Sequence, residues 1–271
     1  MNKIRKAMVA GYFYPSNPEK LSDEIETLLS ISNRGITLQN LTGIISPHAG
    51  YIYSGRTAAF AYNLLNNKTI DTVIIISPSH REYFPGICIY DGDGYETPLG
   101  IVKINCELAD NIVGDRRIIY KGIEGHREEH AIEVQIPFLQ KVLTEFKIVP
   151  IVMGDQGKPF IEELANRITQ VADEKTLIVA SSDLSHYYSK QEADKLDSEI
   201  ENDINEFNIE KLQNDLDHKN AEACGGGPII AMMKAASLMN KKNAKVLNRS
   251  NSGDTTGDYS GVVGYLSAAV Y

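Results

Sequence analysis

Short apolar, β-branched runs alternate along the chain with segments of helical periodicity. An uninterrupted apolar run such as residues 72–76 predicts a strand that is buried on both faces, as in a parallel sheet. The predicted strands cover residues 43–46, 72–76, 87–90, 146–152, 177–181, 244–247 and 262–270. The predicted helices cover residues 56–65, 107–113, 129–143, 159–171, 190–202, 209–216 and 228–239, with Pro137 kinking or ending the third of them. This alternation predicts an α/β fold with a largely parallel central sheet flanked by helices.

Composition and charge indicate a globular protein and argue against some classes of partner. The 271 residues are 42% apolar and 23% charged, which is typical of a globular chain. No shift in composition marks a domain boundary, so we expect a single domain over residues 1–271. The formal net charge of −9 argues against a nucleic-acid partner or an anionic membrane surface held by long-range attraction. Because no apolar run fits a membrane span of roughly 20 residues or a signal peptide, we expect a cytoplasmic protein.

Three of the six histidines follow predicted strands. His48, His80 and His186 each lie within five residues of the end of a buried strand. Since ligand crevices in parallel sheets lie outside the carboxyl ends of the strands, neighbouring strands would bring these imidazoles together. Imidazole binds iron, copper, zinc and nickel, and it also exchanges protons near neutral pH. The alternative is that each histidine only caps the loop after its strand.

Cys224 stands before three glycines and a helix predicted to begin near Pro228. A thiol at a helix N-terminus lies at the positive end of the helix dipole, which lowers its pKa, and successive glycine N–H groups can bind an anion. Cys224 is therefore a candidate nucleophile or soft metal ligand, with close packing before a glycine turn as the alternative. Cys88 and Cys106 are expected to serve packing, since three cysteines without a CxxC motif form no disulfide framework.

The segment GHREEHAIE around His130 adds further candidates. It is not the HExxH zinc motif, because no glutamate follows His126 directly. We expect His130 to support a site by hydrogen bonding or proton transfer, and His126 and His218 to be surface residues. Asp183 precedes His186 by three residues and is interpreted as a partner that orients this ring, as a metal ligand, or as a helix N-cap.

The ten residues SPHAGYIYSG at 46–55 resemble the signature of the MEMO family. Other motifs of that family match, in order along the chain, AGYFYP at 10–15, SPSH at 77–80, EHAIEVQIPF at 129–138, SSDLSHY at 181–187 and ACGGGP at 223–228. The family includes a eukaryotic mediator of cell motility and the prokaryotic AmmeMemoRadiSam system protein B. Because these motifs are specific and extend over most of the chain, the sequence is identified as a member of this family.

The resemblance implies a fold similar to that of the class III extradiol dioxygenases, which are non-heme Fe(II) enzymes. The residues that it assigns are the metal ligands His48, His80 and Cys224 and the pocket residues His130, Asp183 and His186. A thiolate in place of the dioxygenase carboxylate favours Cu(I), and Fe(II) is the alternative. The name of the prokaryotic members also implies radical-SAM and AMMECR1-type proteins as pathway partners.

Three functions stay open at the level of the sequence. The first is a metal-dependent redox protein acting on dioxygen or a small phenolic or thiol substrate, with His186 as proton donor or acceptor. The second is a non-catalytic module that binds a peptide or partner protein through a vestigial dioxygenase-like pocket, because several tyrosines lie near the pocket motifs. The third is nucleophilic catalysis by Cys224, with the glycine amides as an oxyanion hole. Asp254 and Asp258 stay open as additional metal ligands.

Overall fold

A nine-stranded sheet forms the centre of the protein, in a computed structural model that describes residues 3–114 and 118–271. The strands are β1 (Ile4–Arg5), β2 (Gly43–Ser46), β3 (Thr72–Pro78), β4 (Ile87–Tyr90), β5 (Gly94–Thr97), β6 (Gly100–Lys103), β7 (Ile119–Gly122), β8 (Lys147–Met153), β9 (Thr176–Ser181), β10 (His186–Tyr188), β11 (Ala244–Asn251) and β12 (Val262–Val270). The central sheet has the order β10-β12-β2-β9-β3-β8-β4-β7, with β11 paired to β12, and β1, β5 and β6 form a small separate sheet.

Helices pack on both faces of the central sheet. They are α1 (Pro18–Ser32), α2 (Tyr51–Tyr62), α3 (Cys106–Val113), α4 (Ile136–Val142), α5 (Lys158–Val171), α6 (Lys190–Asn205), α7 (Ile209–Asp217), α8 (Gly226–Leu238) and α9 (Gly253–Thr256). Short 3-10 turns cover Asn63–Leu65 and Glu133–Gln135. Within the described part of the chain, no helix combines the length and apolarity that a membrane crossing requires.

The four central strands β2, β9, β3 and β8 run parallel. Antiparallel partners flank them, since β12 pairs with β2 and β4 pairs with β8. The predicted α/β class with a parallel centre is confirmed, and the outer strands make the complete sheet mixed. Because parallel strands end at the same edge, the loops that follow β2, β3, β8 and β9 meet there. We call this the carboxyl edge.

Strand β3 shows why the central apolar runs are continuous. Val73 and Ile75 pack into one core together with residues of α1, α2 and α4, whereas Ile74 and Ile76 pack into the other core with residues of α5 and α8. All four side chains are fully buried. Two-sided burial removes the polar alternation of a surface strand, which is why the sequence pattern identifies this strand well.

The segment predicted as a helix over 129–143 differs from the structure. Residues 129–132 form a loop, because the Glu129 carboxylate accepts the N–H groups of the next two residues in place of helical carbonyls. After the 3-10 turn, α4 begins at Ile136 with Pro137 in its first turn. Proline fits there because that position needs no N–H donor, so Pro137 starts the helix and does not kink it.

The first turn of α2 and all of α1 were not predicted. Helix α2 begins at Tyr51, five residues before the predicted start, and the Tyr51 N–H donates to the Phe13 carbonyl at 2.7 Å. Helix α1 begins after Asn17, whose side chain accepts the Lys20 N–H at 2.9 Å. The Asn-Pro start of α1 is a signal that the sequence contains.

Candidate metal centre

Two strand ends and one helix start meet at the carboxyl edge. His48 follows β2, His80 follows β3, and Cys224 precedes α8. The donor atoms that these three side chains offer all lie within 4.8 Å of one another. Two imidazole nitrogens and one sulfur at this spacing suit a single transition-metal ion. We call these three residues the metal group.

The His48 ring is held in one tautomer by the residues behind it. Its Nδ1 lies 2.9 Å from Ser181 Oγ. Ser181 Oγ donates to the Ala131 carbonyl at 2.7 Å and accepts from Gln135 Nε2 at 2.8 Å, so its remaining role is to accept the Nδ1–H of His48. The lone pair is therefore on Nε2, which lies 3.2 Å from Cys224 Sγ. Burial lowers the pKa of His48 to about 3, which keeps the ring neutral, as a metal ligand must be.

Glu129 fixes the second imidazole of the metal group. His80 Nδ1 donates to Glu129 Oε1 at 2.9 Å, and the His80 backbone N–H donates to Oε2 at 2.7 Å. Burial raises the pKa of Glu129, but the hydrogen bond and the charge of His80 outweigh burial and bring it down to about 2. The carboxylate therefore stays ionised and orients the ring so that Nε2 is the nitrogen available for a metal, an arrangement common in metal sites.

The Cys224 thiol does not have the lowered pKa expected at a helix start. Cys224 is half-buried, and its Sγ accepts the Asp183 backbone N–H at 3.3 Å. Burial, followed by the charge of Asp183, raises the pKa of the thiol well above its usual value. Burial and the Asp183 charge therefore act against the lowering of the pKa that a helix start favours. A metal cation would reverse the balance, because it stabilises the thiolate in place of a proton.

The glycines at 225–227 do not form an open anion site. Their three N–H groups donate to Ser182 Oγ at 2.9 Å, the Ala223 carbonyl at 3.2 Å and Gln156 Oε1 at 2.8 Å. Because these donors are paired within the protein, they are not directed at a substrate. With the raised thiol pKa, this pairing removes the physical basis for Cys224 as a nucleophile with a glycine oxyanion hole.

Asp183 connects the metal group to β9. Its Oδ1 accepts the His48 backbone N–H at 2.8 Å, and its carbonyl accepts the Cys224 N–H at 3.2 Å. Its Oδ2 lies 4.0 Å from His48 Nε2, and burial raises the pKa of the carboxyl. Asp183 is not a helix N-cap, because α6 begins at Lys190 with Ser189 as its cap. His186 Nδ1 donates to the Leu184 carbonyl, so Asp183 orients the backbone of His48 and Cys224 in place of the predicted His186 ring, and its metal-binding role stays a prediction.

His130 and His186 border the metal group. The His130 ring centroid lies 5.4 Å from that of His48 and 4.8 Å from that of His80. Burial, followed by the charge of His48, lowers the pKa of His130 to about 4. His186 Nδ1 donates to the Leu184 carbonyl at 2.7 Å, which leaves Nε2 as an acceptor. A positive charge on His186 lowers the pKa of His48. Both rings are therefore candidates for proton exchange beside the metal group.

A second set of donors, from His80, Glu129 and His130, also lies within 4.8 Å. The Glu129 carboxylate already accepts four hydrogen bonds, two of them from His80 and one each from the His130 and Ala131 N–H groups. This carboxylate is therefore committed to orienting His80. The second set supports the metal group and does not form a separate centre.

His126 is fully buried, so its prediction as a surface residue was wrong. Its Nε2 donates to the Cys88 carbonyl at 3.0 Å, and its Nδ1 accepts from the Tyr95 hydroxyl at 2.7 Å. These partners come from distant strands, which a local sequence pattern does not reveal. His218 is exposed at the end of α7, as predicted.

The structure also places the two aspartates and the two other cysteines that the sequence analysis named. Asp254 and Asp258 are exposed and belong to neither of the two donor sets found among residues 3–114 and 118–271. Cys88 is buried in β4, which confirms its packing role. Cys106 begins α3 but is exposed, so the packing prediction was wrong for it.

Three residues of the site were not singled out from the sequence. They are Glu129, which orients His80, Ser181, which orients His48, and Gln156, which contacts the Cys224 turn. Ser181 ends β9 and Gln156 follows β8. Applying the rule about strand ends to every polar residue, and not to histidine alone, would have found both.

The fold and the metal group together define an α/β protein with a candidate His/His/Cys metal centre at the carboxyl edge. The family model described as Memo-like protein matches residues 5–269. The chain belongs to this Memo-like family, which confirms the resemblance of its motifs. It is similar to MEMO1 family proteins of Thermoplasma volcanium (40% identity; 97% of each chain covered) and Methanocaldococcus jannaschii (40%; 100% of each).

A solved structure supports the fold. The chain is similar to an uncharacterized protein of Escherichia coli K12, with a TM-score of 0.55 and 13% sequence identity. The match covers 85% of this chain and 100% of the other. At this identity the likeness concerns the fold alone.

Proposed function

We propose that this Memo-like protein binds iron or copper through His48, His80 and Cys224 and uses the ion in redox chemistry. The observation that carries the proposal is the arrangement of the ring nitrogens. In both histidines Nδ1 donates to an internal acceptor, which leaves Nε2 as the ligand nitrogen. Nitrogen and sulfur donors fit iron or copper and do not fit Mg²⁺ or Ca²⁺, which prefer oxygen. The thiolate favours Cu(I) over Fe(II) when both are present.

The protein residues around such an ion have separate roles. A bound iron or copper ion would supply one-electron chemistry toward dioxygen or a small phenolic or thiol substrate. Cys224 would lose its proton and hold the ion as a thiolate, while Asp183 would fix the backbone of both Cys224 and His48. His186 Nε2 and the neutral His130 ring would exchange protons with the substrate.

We also propose that the protein is cytoplasmic. Cys224 must stay reduced to act as a ligand, which favours the reducing cytoplasm. The family resemblance suggests radical-SAM and AMMECR1-type proteins as partners, with a small molecule or peptide as the ligand of the crevice.

Elemental analysis of tag-free protein purified without chelator tests the metal proposal. The protein should contain iron or copper near one equivalent, directly or after anaerobic reconstitution with Fe(II) and Cu(I). His48→Ala and Cys224→Ser should lose most of it, and His218→Ala, at the exposed end of α7, should retain it. Metal-free wild type after reconstitution would contradict the proposal.

A second candidate function is a protein-binding module, and the exposed tyrosines favour it. The exposed tyrosines of the described residues all lie in segments that meet at the carboxyl edge: Tyr12, Tyr53, Tyr83, Tyr187, Tyr188 and Tyr259. Tyrosine is common at binding surfaces because it combines a large apolar ring with a hydroxyl group. In this function, Cys224→Ser should bind an AMMECR1-type partner with wild-type affinity, and Tyr187→Ala should bind it more weakly.

A further inference from the structure

Gln156 contacts both ends of the turn that contains Cys224. It lies in the loop after β8, at the same edge of the sheet as the metal group. Its Nε2 donates to the Cys224 carbonyl at 2.8 Å, and its Oε1 accepts the Gly227 N–H at 2.8 Å. One planar amide therefore joins the residue that offers the sulfur to the first turn of α8.

The absence of a side chain at Gly227 permits this contact. A Cβ atom at position 227 would lie 2.8 Å from Gln156 Cβ and 2.9 Å from its Oε1. Any other residue would push the amide away from the turn. The last glycine of the Cys-Gly-Gly-Gly run thus serves the approach of Gln156, not the binding of an anion.

Cys224 is held from two sides. On the side of β9, its N–H donates to the Asp183 carbonyl at 3.2 Å, and its Sγ accepts the Asp183 N–H at 3.3 Å. Gln156 supplies the contact from the side of β8. Because the two strand ends belong to one rigid parallel sheet, the sulfur is fixed relative to the strands that precede His48 and His80.

We propose that Gln156 is a positioning residue that sets the place of the Cys224 sulfur opposite the two imidazoles. This inference rests on the proposed metal function and names a determinant of the same site. Glutamine is suited to the role because its amide donates and accepts at once. A glutamate keeps the acceptor but loses the donor, and a methionine of similar length loses both.

Anaerobic titration with Co(II) tests the inference, because the d–d and sulfur-to-cobalt absorption bands of Co(II) report coordination geometry. Gln156→Met and Gln156→Glu should weaken Co(II) binding roughly 10–100-fold, as loss of an orienting partner does in other metal sites, and should shift the sulfur-to-cobalt band. The matched control is Gln170→Met. Gln170 is exposed near the end of α5, where its Oε1 accepts from Arg167 on the same helix at 2.9 Å, so affinity and band should not change.

The outcomes separate this inference from the metal function. Wild-type affinity together with an unshifted band in both Gln156 variants would overturn it. If thermal denaturation shows that Gln156→Met is unfolded, the inference is tested with Gln156→Glu alone, which keeps the contact with the Gly227 N–H. If unaltered protein binds neither Co(II) nor Fe(II), the metal function itself fails, whatever the variants show.

Discussion

Two polar clusters adjoin the segment 126–133 and differ in how their polar atoms are paired. The first is the metal group, in which each imidazole has one nitrogen bonded to the protein and the other left as a ligand. The second, which we call the arginine network, consists of Arg5, Tyr14, Tyr95, His126 and Glu133. Its hydrogen bonds end on other protein groups, so it is closed on itself.

Arg5 is the centre of the arginine network. Its guanidinium donates to Glu133 at 2.7 Å, to the His126 carbonyl at 2.6 Å and to the Glu129 carbonyl. The fully buried Glu133 carboxylate also accepts the Tyr14 hydroxyl at 2.6 Å and two backbone N–H groups of the N-terminal segment. This cluster fixes the segment that carries Glu129 and His130.

His126 and His48 show what the comparison teaches. Both are buried, and burial lowers the pKa of each to about 3. His126 uses both ring nitrogens within the protein, whereas His48 uses one and faces the Cys224 sulfur with the other. Burial and residue type therefore do not distinguish a structural histidine from a ligand. The two kinds of histidine are distinguished by whether the second ring nitrogen is hydrogen-bonded within the protein.

A substitution in the arginine network should give the largest loss in free energy of unfolding. Glu133→Gln removes the charge that Arg5 needs, and breaking a buried ion pair on one side costs about 3–5 kcal/mol in free energy of unfolding. Urea unfolding followed by circular dichroism measures this. Glu26→Gln is the control, because the Glu26 side chain is exposed where it pairs with Lys141 and little change is expected. Equal urea midpoints for Glu133→Gln and Glu26→Gln would contradict the special role of the arginine network in stability.

The metal group should show its largest response in metal affinity. Glu129→Gln keeps the size of the side chain but replaces the ionised acceptor of His80. We expect Co(II) affinity to fall roughly 10–100-fold, because the ring loses its orienting carboxylate. Isothermal titration calorimetry measures the affinity. Glu128→Gln, one residue earlier and exposed, should bind as the wild type does.

Metal binding should release a proton. In the metal-free protein the pKa of Cys224 lies above its usual value, so the thiol is protonated at pH 7. His48, with its pKa lowered to about 3, is already neutral there and releases none. Metal affinity should therefore rise about tenfold per pH unit near neutrality and fall as pH decreases. Calorimetry in buffers of different ionisation enthalpy should show one proton per ion from Cys224, and an unchanged affinity between pH 6.5 and 7.5 would refute this.

Alkylation gives the smallest expected effect. At pH 7 iodoacetamide should modify Cys224 slowly in metal-free protein, because the attacking species is the thiolate. The exposed Cys106 should react first. Peptide mass spectrometry of wild type and Cys106→Ser distinguishes the two sites. Rapid modification of Cys224 would restore the nucleophile hypothesis.

The comparison also explains what could be predicted from sequence. The buried run of β3 and the histidines after strand ends follow local rules, so the α/β class and the positions of His48 and His80 were predictable. The role of His126 depends on Tyr95 and on a carbonyl of β4, which are distant in sequence. The raised pKa of Cys224 comes from burial and from the charge of Asp183, neither of which its position before a helix indicates. Local patterns identify elements but not the second partner of a buried polar atom.

X-ray absorption spectroscopy at the metal edge tests the central claim most directly. Protein loaded with one equivalent of iron or copper should show one sulfur neighbour at a longer distance than its nitrogen neighbours, as zinc sites do at about 2.3 Å and about 2.0 Å. Cys224→Ser should lose the sulfur shell, and His218→Ala, at the exposed end of α7, should keep it. A spectrum of wild type with only nitrogen and oxygen neighbours would contradict the assignment of His48, His80 and Cys224 as one metal centre.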